Sequence, residues 1–240
     1  MKVLLTGKNS KDIESLVKSL RFEIATSNPD VVISYGGDGT LLYSERMYPG
    51  VPKLPIRDSL ICKKCPRHGE KDLLQKLLDD KLALKEYKKL ETTFFYRTFL
   101  ALNDFVIRNT QPIHTIRFQT TGIDKLLIGD GIVLSTPFGS TGYFKSITGQ
   151  SFGESLPAGR QGFGLAFNNT TEKVTPIFFH DKDQVTFKLV RGSATLSFDN
   201  NPDIFNVDEG SEITFRLSDK TAKIYELQSL RCPDCVITRG

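Results

Sequence analysis

No run of apolar residues in this 240-residue chain approaches the ~20 needed to span a bilayer. The opening Met1-Lys2-Val3-Leu4-Leu5-Thr6-Gly7 is too short in its apolar part for a secretion signal and reads as a first β-strand. The expectation is a cytoplasmic protein with no membrane partner. No internal repeat is visible, and neither sign of charge dominates. The net charge of +4 is a mild basic bias that suits an anionic small molecule as well as nucleic acid. Cysteine is absent except for two pairs, Cys62-Lys63-Lys64-Cys65 and Cys232-Pro233-Asp234-Cys235. Nothing here resembles the disulfide density of a secreted domain.

What remains is ordinary for a globular chain: 39% hydrophobic and 25% charged residues, enough for one large domain or two modest ones. The cysteine spacing is the exception. A two-residue gap puts both sulfurs of a pair on one side of a tight turn, and two such turns supply four thiolates for a tetrahedral zinc ion. A thioredoxin-like role needs only one pair, set at a helix start after a strand, and neither pair is so placed. A site of four thiolates is closed, hence structural. If Cys62, Cys65, Cys232 and Cys235 share one Zn²⁺, the end of the chain returns to the segment around residue 62.

Hydrophobic periodicity divides the sequence in two. Lys2–Thr6 is a candidate strand, Ser10–Leu20 a helix capped by Asn9 or Ser10, Phe22–Ala25 a short strand, and Val31–Tyr35 a buried one. The order β-α-β-β-α predicts an open, Rossmann-like α/β sheet with its ligand edge at the strand C-termini. Met47–Asp58, with three prolines and a glycine, reads as irregular, and Lys71–Leu78 as helical. From about Leu82 the period falls to two: Val185-Thr186-Phe187-Lys188-Leu189, Ala194-Thr195-Leu196-Ser197-Phe198 and Ile213-Thr214-Phe215-Arg216-Leu217 alternate plainly. Short strands between turns such as Asp199-Asn200-Asn201-Pro202 predict an all-β, sandwich-like second domain. The expected domains are 1–90, joined by 225–240, and 91–224. Gly149–Gly164, rich in Gly, Ser and Pro, reads as a long loop.

Two stretches carry chemistry. In Val31-Val32-Ile33-Ser34-Tyr35-Gly36-Gly37-Asp38-Gly39-Thr40 a buried strand stops in a glycine turn and a helix follows. Such a turn presents backbone N–H groups to phosphate, and residues without Cβ let the ligand close on the amides. Asp38 is misplaced for gripping phosphate and suited to handling a hydroxyl proton or a metal ion; the plainer alternative is a structural turn with Asp as helix cap. In Gly129-Asp130-Gly131-Ile132-Val133-Leu134-Ser135-Thr136-Pro137-Phe138-Gly139-Ser140-Thr141-Gly142-Tyr143 a second buried strand ends in hydroxyls and glycines. Ser and Thr there can donate to ring nitrogens or phosphates, and Tyr143 offers an aromatic face to a base. The alternative is a Ser/Thr-capped turn opening a short helix, Thr141–Ile147.

Together these stretches resemble the NAD kinase family, whose Gly-Gly-Asp-Gly-Thr turn, Asn-Glu or Asn-Asp pair, and Asp-Gly strand running into Thr-Pro-x-Gly-Ser-Thr-Ala-Tyr occur here in order. They are Gly36–Thr40, Asn103-Asp104 and Asp130–Tyr143. The likeness runs from Val31 to about Leu217. It implies two domains and transfer of the γ-phosphoryl group of ATP to the 2′-hydroxyl of NAD, giving NADP. In that scheme Asp38 is the catalytic residue, orienting or deprotonating the hydroxyl, with Mg²⁺ as the cofactor accompanying ATP. Gly36, Gly37, Gly39 and Thr40 bind phosphate. NAD is bound by Asp38, Gly39, Asn103, Asp104, Asp130, Thr141, Tyr143 and Ser146, with His114 and Asn201 at further contacts; an ordinary strand histidine is the competing reading of His114. The resemblance also implies a homo-oligomer. ATP or polyphosphate as donor, and NAD or NADH as acceptor, stay open.

The chain departs from the family pattern at Gly142, where Ala is usual, and at Ser146-Ile147-Thr148-Gly149. It lacks the Asn-x-Gly-x-Leu-Gly-Phe-Leu segment, having Leu54-Pro55-Ile56-Arg57-Asp58-Ser59 before the cysteine turn, so a zinc knuckle stands in for that segment. Three other readings compete. A non-catalytic nucleotide-binding protein fits the missing segment but not the intact Asp38. A lipid kinase explains Gly36–Thr40 but gives Thr136–Tyr143 no task. A zinc-ribbon nucleic-acid binder rests on Lys63, Lys64, Arg67, Lys71, Arg231 and Arg239, a charged run that is usually only a solvated face.

Overall fold

A computed structural model describes residues 1–58, 69–152 and 162–225. The four cysteines, and with them the expected zinc site, lie outside the described residues. Two compact units result: Met1–Tyr87 with the chain again from Thr221, and Lys88–Lys220. Among the described residues no helix is long and apolar enough to cross a membrane.

The first unit is an α/β sheet. Strands β1 (Lys2–Thr6), β2 (Glu23–Ile24), β3 (Val31–Tyr35) and β4 (Lys53–Ile56) lie parallel in the order β2-β1-β3-β4. Central β3 is buried at every position, as its unbroken apolar run requires. Helices α1 (Glu14–Ser19), α2 (Asp38–Met47) and α3 (Glu70–Leu78) accompany the sheet. The expected helix over Ser10–Leu20 is a 3₁₀ turn, Ser10–Ile13, running into α1. Asn9 does not cap it: its side-chain amide donates to Asp58 Oδ2 at 2.6 Å instead.

The expectation of irregular chain over Met47–Asp58 fails at β4. Val32 N and Gly36 N of the β3 segment donate to Pro52 O and Ile56 O at 2.8 Å. Because donors and acceptors alternate along a strand, the missing N–H of Pro55 falls on the side away from β3, so proline is tolerated. Leu54 and Ile56 are fully buried there and join a core with Val3, Ile33, Leu73 and Leu77.

The second unit is β-rich. One sheet has six strands in the order β12-β11-β10-β7-β14-β15: β7 (Asp104–Asn109), β10 (Gly131–Ser135), β11 (Gly162–Asn168), β12 (Ile177–His180), β14 (Ala194–Phe198) and β15 (Phe205–Val207), all antiparallel. The other contains β8 (Ile116–Thr120), β9 (Ile123–Gly129) and β13 (Gln184–Arg191). It is completed by the hairpin β5 (Leu84–Phe94) and β6 (Arg97–Ala101), and by the 14-residue β16 (Glu212–Tyr225). Alternate residues of both sheets, among them Phe105, Phe118, Phe187, Leu196 and Phe215, form one core. This is the packing that period-two sequences dictate.

Helix α4 (Tyr143–Thr148) covers part of the other face of the first of these sheets, Phe144 packing with Val133 and Ala166. That helix explains another difference from expectation. Gly162–Gly164, read as loop, opens β11, because Phe144 and Phe152 press on Gly164 so closely that a Cβ there would come within 2.9 Å of each ring. Residues 153–161 of the expected loop lie outside the described residues.

Candidate functional site

The glycine turn stands where β3 hands over to α2. Gly37 is the N-cap residue and makes no side-chain capping bond, and α2 begins at Asp38. The alternative of Asp38 as a capping side chain is therefore not what forms. Its carboxylate is 83% exposed and its neighbour is Arg57, whose Nη2 lies 3.5 Å from Oδ1. An exposed carboxylate kept out of the helix cap is available to a ligand. Of the first-turn amides of α2, Thr40 N donates to Gly37 O at 3.0 Å, while the N–H groups of Asp38 and Gly39 precede the first full helical bond and favour an anion. A Cβ on Gly36 would strike the side chain of Thr40, which folds back over the turn.

One contact holds α2 against β1, a hydrogen bond of 2.6 Å shared by Thr6 Oγ1 and Ser44 Oγ; within the helix Ser44 Oγ also donates to Thr40 O at 2.7 Å. A cleft of about 510 Å³ opens at this edge, lined by Leu4, Leu5, Thr6, Gly7, Lys8, Ser10, Gly39, Thr40, Tyr43 and Tyr48. It lies at the C-terminal end of β1, where open α/β sheets receive ligands.

The second unit carries two further groups of the expected residues. The first is built around the turn Leu102–Asp104. Thr136 Oγ1 donates to Leu102 O at 2.6 Å, Thr136 N to Asn103 O at 2.9 Å, and Gly139 N to Thr136 Oγ1 at 3.0 Å. The Asn-Asp pair and the Thr-Pro-x-Gly segment, 32 or more residues apart in sequence, are thus one hydrogen-bonded assembly. Burial, and then the charge of Asp199, push the Asp104 carboxyl up to about 7. The second group surrounds half-buried Asp130, which accepts from Asn109 Nδ2 at 3.3 Å and Asn169 Nδ2 at 3.1 Å. The Asn109 amide also donates to the backbone carbonyl of His114 at 2.8 Å, so His114 enters this group through its main chain while the residue itself is exposed.

The remaining positions are simpler. Tyr143 starts α4 half-buried, and its hydroxyl accepts from Asn168 Nδ2 at 3.1 Å. Exposed Ser146 donates back to Tyr143 O at 2.7 Å, and Thr141 is exposed in the 3₁₀ turn Gly139–Thr141 before the helix. Asn201 closes a tight turn, its N–H donating to Phe198 O at 2.8 Å.

Sequence reasoning missed Asp199, Asn168 and Arg57. The one available signal was Asp199-Asn200, which read only as a turn; both have positive φ, at 48° and 51°, a conformation Asp and Asn tolerate better than most residues.

An α/β unit with a glycine turn opening a helix, followed by a two-sheet β unit with a hydroxyl-rich turn, has parts suited to a nucleotide-binding protein. No family model matches the chain. Individual relatives do. It is 31% identical over 159 residues to an NAD kinase of Sulfurisphaera tokodaii, covering 62% of this chain and 63% of that one. It is 27% identical to NAD kinase 2 of Geobacillus kaustophilus, covering 83% and 79%, and 24% identical to NAD kinase 2 of Bacillus subtilis, covering 93% and 89%. Among solved structures it is similar to an NAD kinase from Archaeoglobus fulgidus in complex with ATP, with a TM-score of 0.73, 21% identity, and 94% of each chain covered. It is also similar to a yeast NADH kinase complexed with NADH, with a TM-score of 0.71 and 18% identity, covering 93% of this chain and 73% of that one. These likenesses to NAD kinases, in sequence and in fold, support the NAD kinase family.

Proposed function

We propose that this protein transfers the γ-phosphoryl group of ATP to the 2′-hydroxyl of NAD. The observation that carries the reading is Asp38: a carboxylate at the start of a helix, beside amides suited to phosphate, exposed and free of capping duty. Phosphoryl transfer asks for positioning and charge neutralisation rather than covalent chemistry. Asp38 accepts the hydrogen of the attacking hydroxyl and orients that oxygen. Gly36, Gly37, Gly39 and Thr40 form the phosphate turn. Asn103, Asp104, Asp130, Thr141, Tyr143 and Ser146 bind the acceptor nucleotide, with His114 and Asn201 at its margin. Mg²⁺, bound with ATP, supplies neutralisation of the phosphate charge, and the exposed Asp38 carboxylate is the group of the turn that suits such an ion.

Three further features belong to this reading. Cys62, Cys65, Cys232 and Cys235 hold a structural Zn²⁺, on the strength of their paired spacing. The protein works in the cytoplasm and assembles as a homo-oligomer, both supported by likeness to the family. Incubating the purified protein with ATP, Mg²⁺ and NAD tests the proposal: NADP accumulates if it holds, and its absence with either ATP or polyphosphate as donor refutes it.

A further inference from the structure

Asp199 is a residue that none of the family motifs quoted above includes. Its side chain reaches back nearly a hundred residues: Oδ2 accepts from Leu102 N at 2.6 Å, and Oδ1 accepts from Asn103 N at 2.7 Å and Asp104 N at 3.3 Å. Asp199 is only 7% exposed. It follows β14, whose last residue, Phe198, is paired with Phe105 of β7. Its positive φ turns the chain there, where it meets the start of β7.

From the opposite side the same turn is held by Thr136, through Leu102 O and Asn103 O. The N–H and C=O groups of Leu102 and Asn103 are therefore all engaged. Among the described residues, by contrast, the side chains of Asn103 and Asp104 make no hydrogen bond. A fully committed backbone carrying two uncommitted polar side chains is the arrangement of a preorganised binding turn.

We propose that Asp199 is a positioning residue for the acceptor nucleotide: its carboxylate clamps the Leu102–Asp104 turn and so aims the side chains of Asn103 and Asp104. The inference rests on the kinase reading above for the identity of the ligand, but the clamp itself does not. The charged groups facing the pair are Asp104, Asp199 and Lys89. Burial raises Asp199 to about 6, against the three amides and the Lys89 charge, which pull it down. Asp104, which receives no such donors, sits higher, at about 7. Two carboxyls this close lose their protons as a coupled pair, so Asp199 sets the protonation of Asp104 as well as its place.

Asp199→Asn is the test. An amide in that position can still accept through its oxygen but turns an NH₂ group towards one of the three N–H donors. The expected result is a KM for NAD raised about 10- to 100-fold, the scale of a lost hydrogen bond to a charged group, with kcat changed much less. The acid limb of kcat/KM also moves to lower pH, because Asp104 then titrates without a charged neighbour. A structural role alone would leave that limb in place. An unchanged KM and an unchanged limb overturn the proposal.

Side-chain carboxyl NMR titration of the wild type and of Asp199→Ser keeps the clamp testable without activity or the Asn variant. The Asp104 resonance titrates at lower pH once the carboxylate at 199 is gone if the two are coupled, and an unmoved Asp104 refutes the pair. Coupled titration in a protein that makes no NADP would defeat the kinase reading and leave the clamp standing.

Discussion

Gly139 lies against the backbone of Asn103: a Cβ added to the glycine would sit 2.5 Å from the Asn103 Cα. No flexible side-chain tip is involved, so nothing can yield cheaply. Gly139→Ala is expected to destabilise the protein by about 1–3 kcal/mol, the usual cost of forcing volume into packed structure. Because the strain falls on the turn that presents Asn103 and Asp104, KM for NAD rises as well. Urea denaturation and steady-state kinetics on one preparation check both.

The helix that begins at Asp38 is fixed by a buried ion pair. Lys53 of β4 and Glu45 of α2 meet with side chains 0% and 4% exposed, and Lys53 Nζ also donates to Tyr48 O. Removing one partner leaves the other charged in an apolar setting, so Lys53→Met is expected to cost about 3–5 kcal/mol. Replacing both, with Lys53→Met and Glu45→Leu, recovers most of that loss. The measurement is the unfolding free energy of the two single variants and the double one.

Stability depends on pH through Asp104 and Asp199, whose folded-state values of about 7 and about 6 exceed the ordinary 3.8 of an aspartate. The folded state then binds more protons than the unfolded chain between about pH 4 and pH 7. Their contribution is complete below that window and is lost as pH rises through it. Other carboxylates act oppositely: Glu91 is driven up by burial, but Arg216 and Ser218 more than offset this and hold it below its ordinary value. The clean readout is therefore a difference. Between pH 5 and pH 8 the wild type is expected to lose more stability than Asp104→Asn does.

Metal analysis tests the cysteine proposal. One zinc per chain is expected, falling to none in Cys235→Ser, with a lower unfolding midpoint. Unchanged metal content in that variant would dissociate Cys235 from any site.

Much of the fold was legible because local pattern and burial coincide. The alternation in 185–189, 194–198 and 213–217 is that of β13, β14 and β16, and the apolar run Val31–Tyr35 is the buried central strand β3. Reading failed where a distant partner decides. Proline at 52 and 55 argued against a strand, yet β3 needs the carbonyls of Pro52 and Ile56 and not the nitrogen of Pro55. Gly162–Gly164 looked like loop until the rings of Phe144 and Phe152 gave Gly164 a reason to lack a side chain.

The candidate site divides in the same way. Gly36–Thr40 and Thr136–Tyr143 announce themselves by composition, since hydroxyls and glycines at strand ends have few other uses. Asp199 does not, because its bonds to Leu102, Asn103 and Asp104 cross 95 or more residues and leave no local trace. Nor does the pairing of Lys53 with Glu45, two charged residues that local sequence alone would place in solvent.

The account stands most directly on Asp38. NAD binding and single-turnover rate should be measured side by side for the wild type and Asp38→Asn, with ATP and Mg²⁺ present for the rate. The expected outcome is unchanged NAD affinity with NADP formation slowed by at least ~10²-fold, the scale of a positioned base. An Asp38→Asn protein that makes NADP at the full wild-type rate would contradict it.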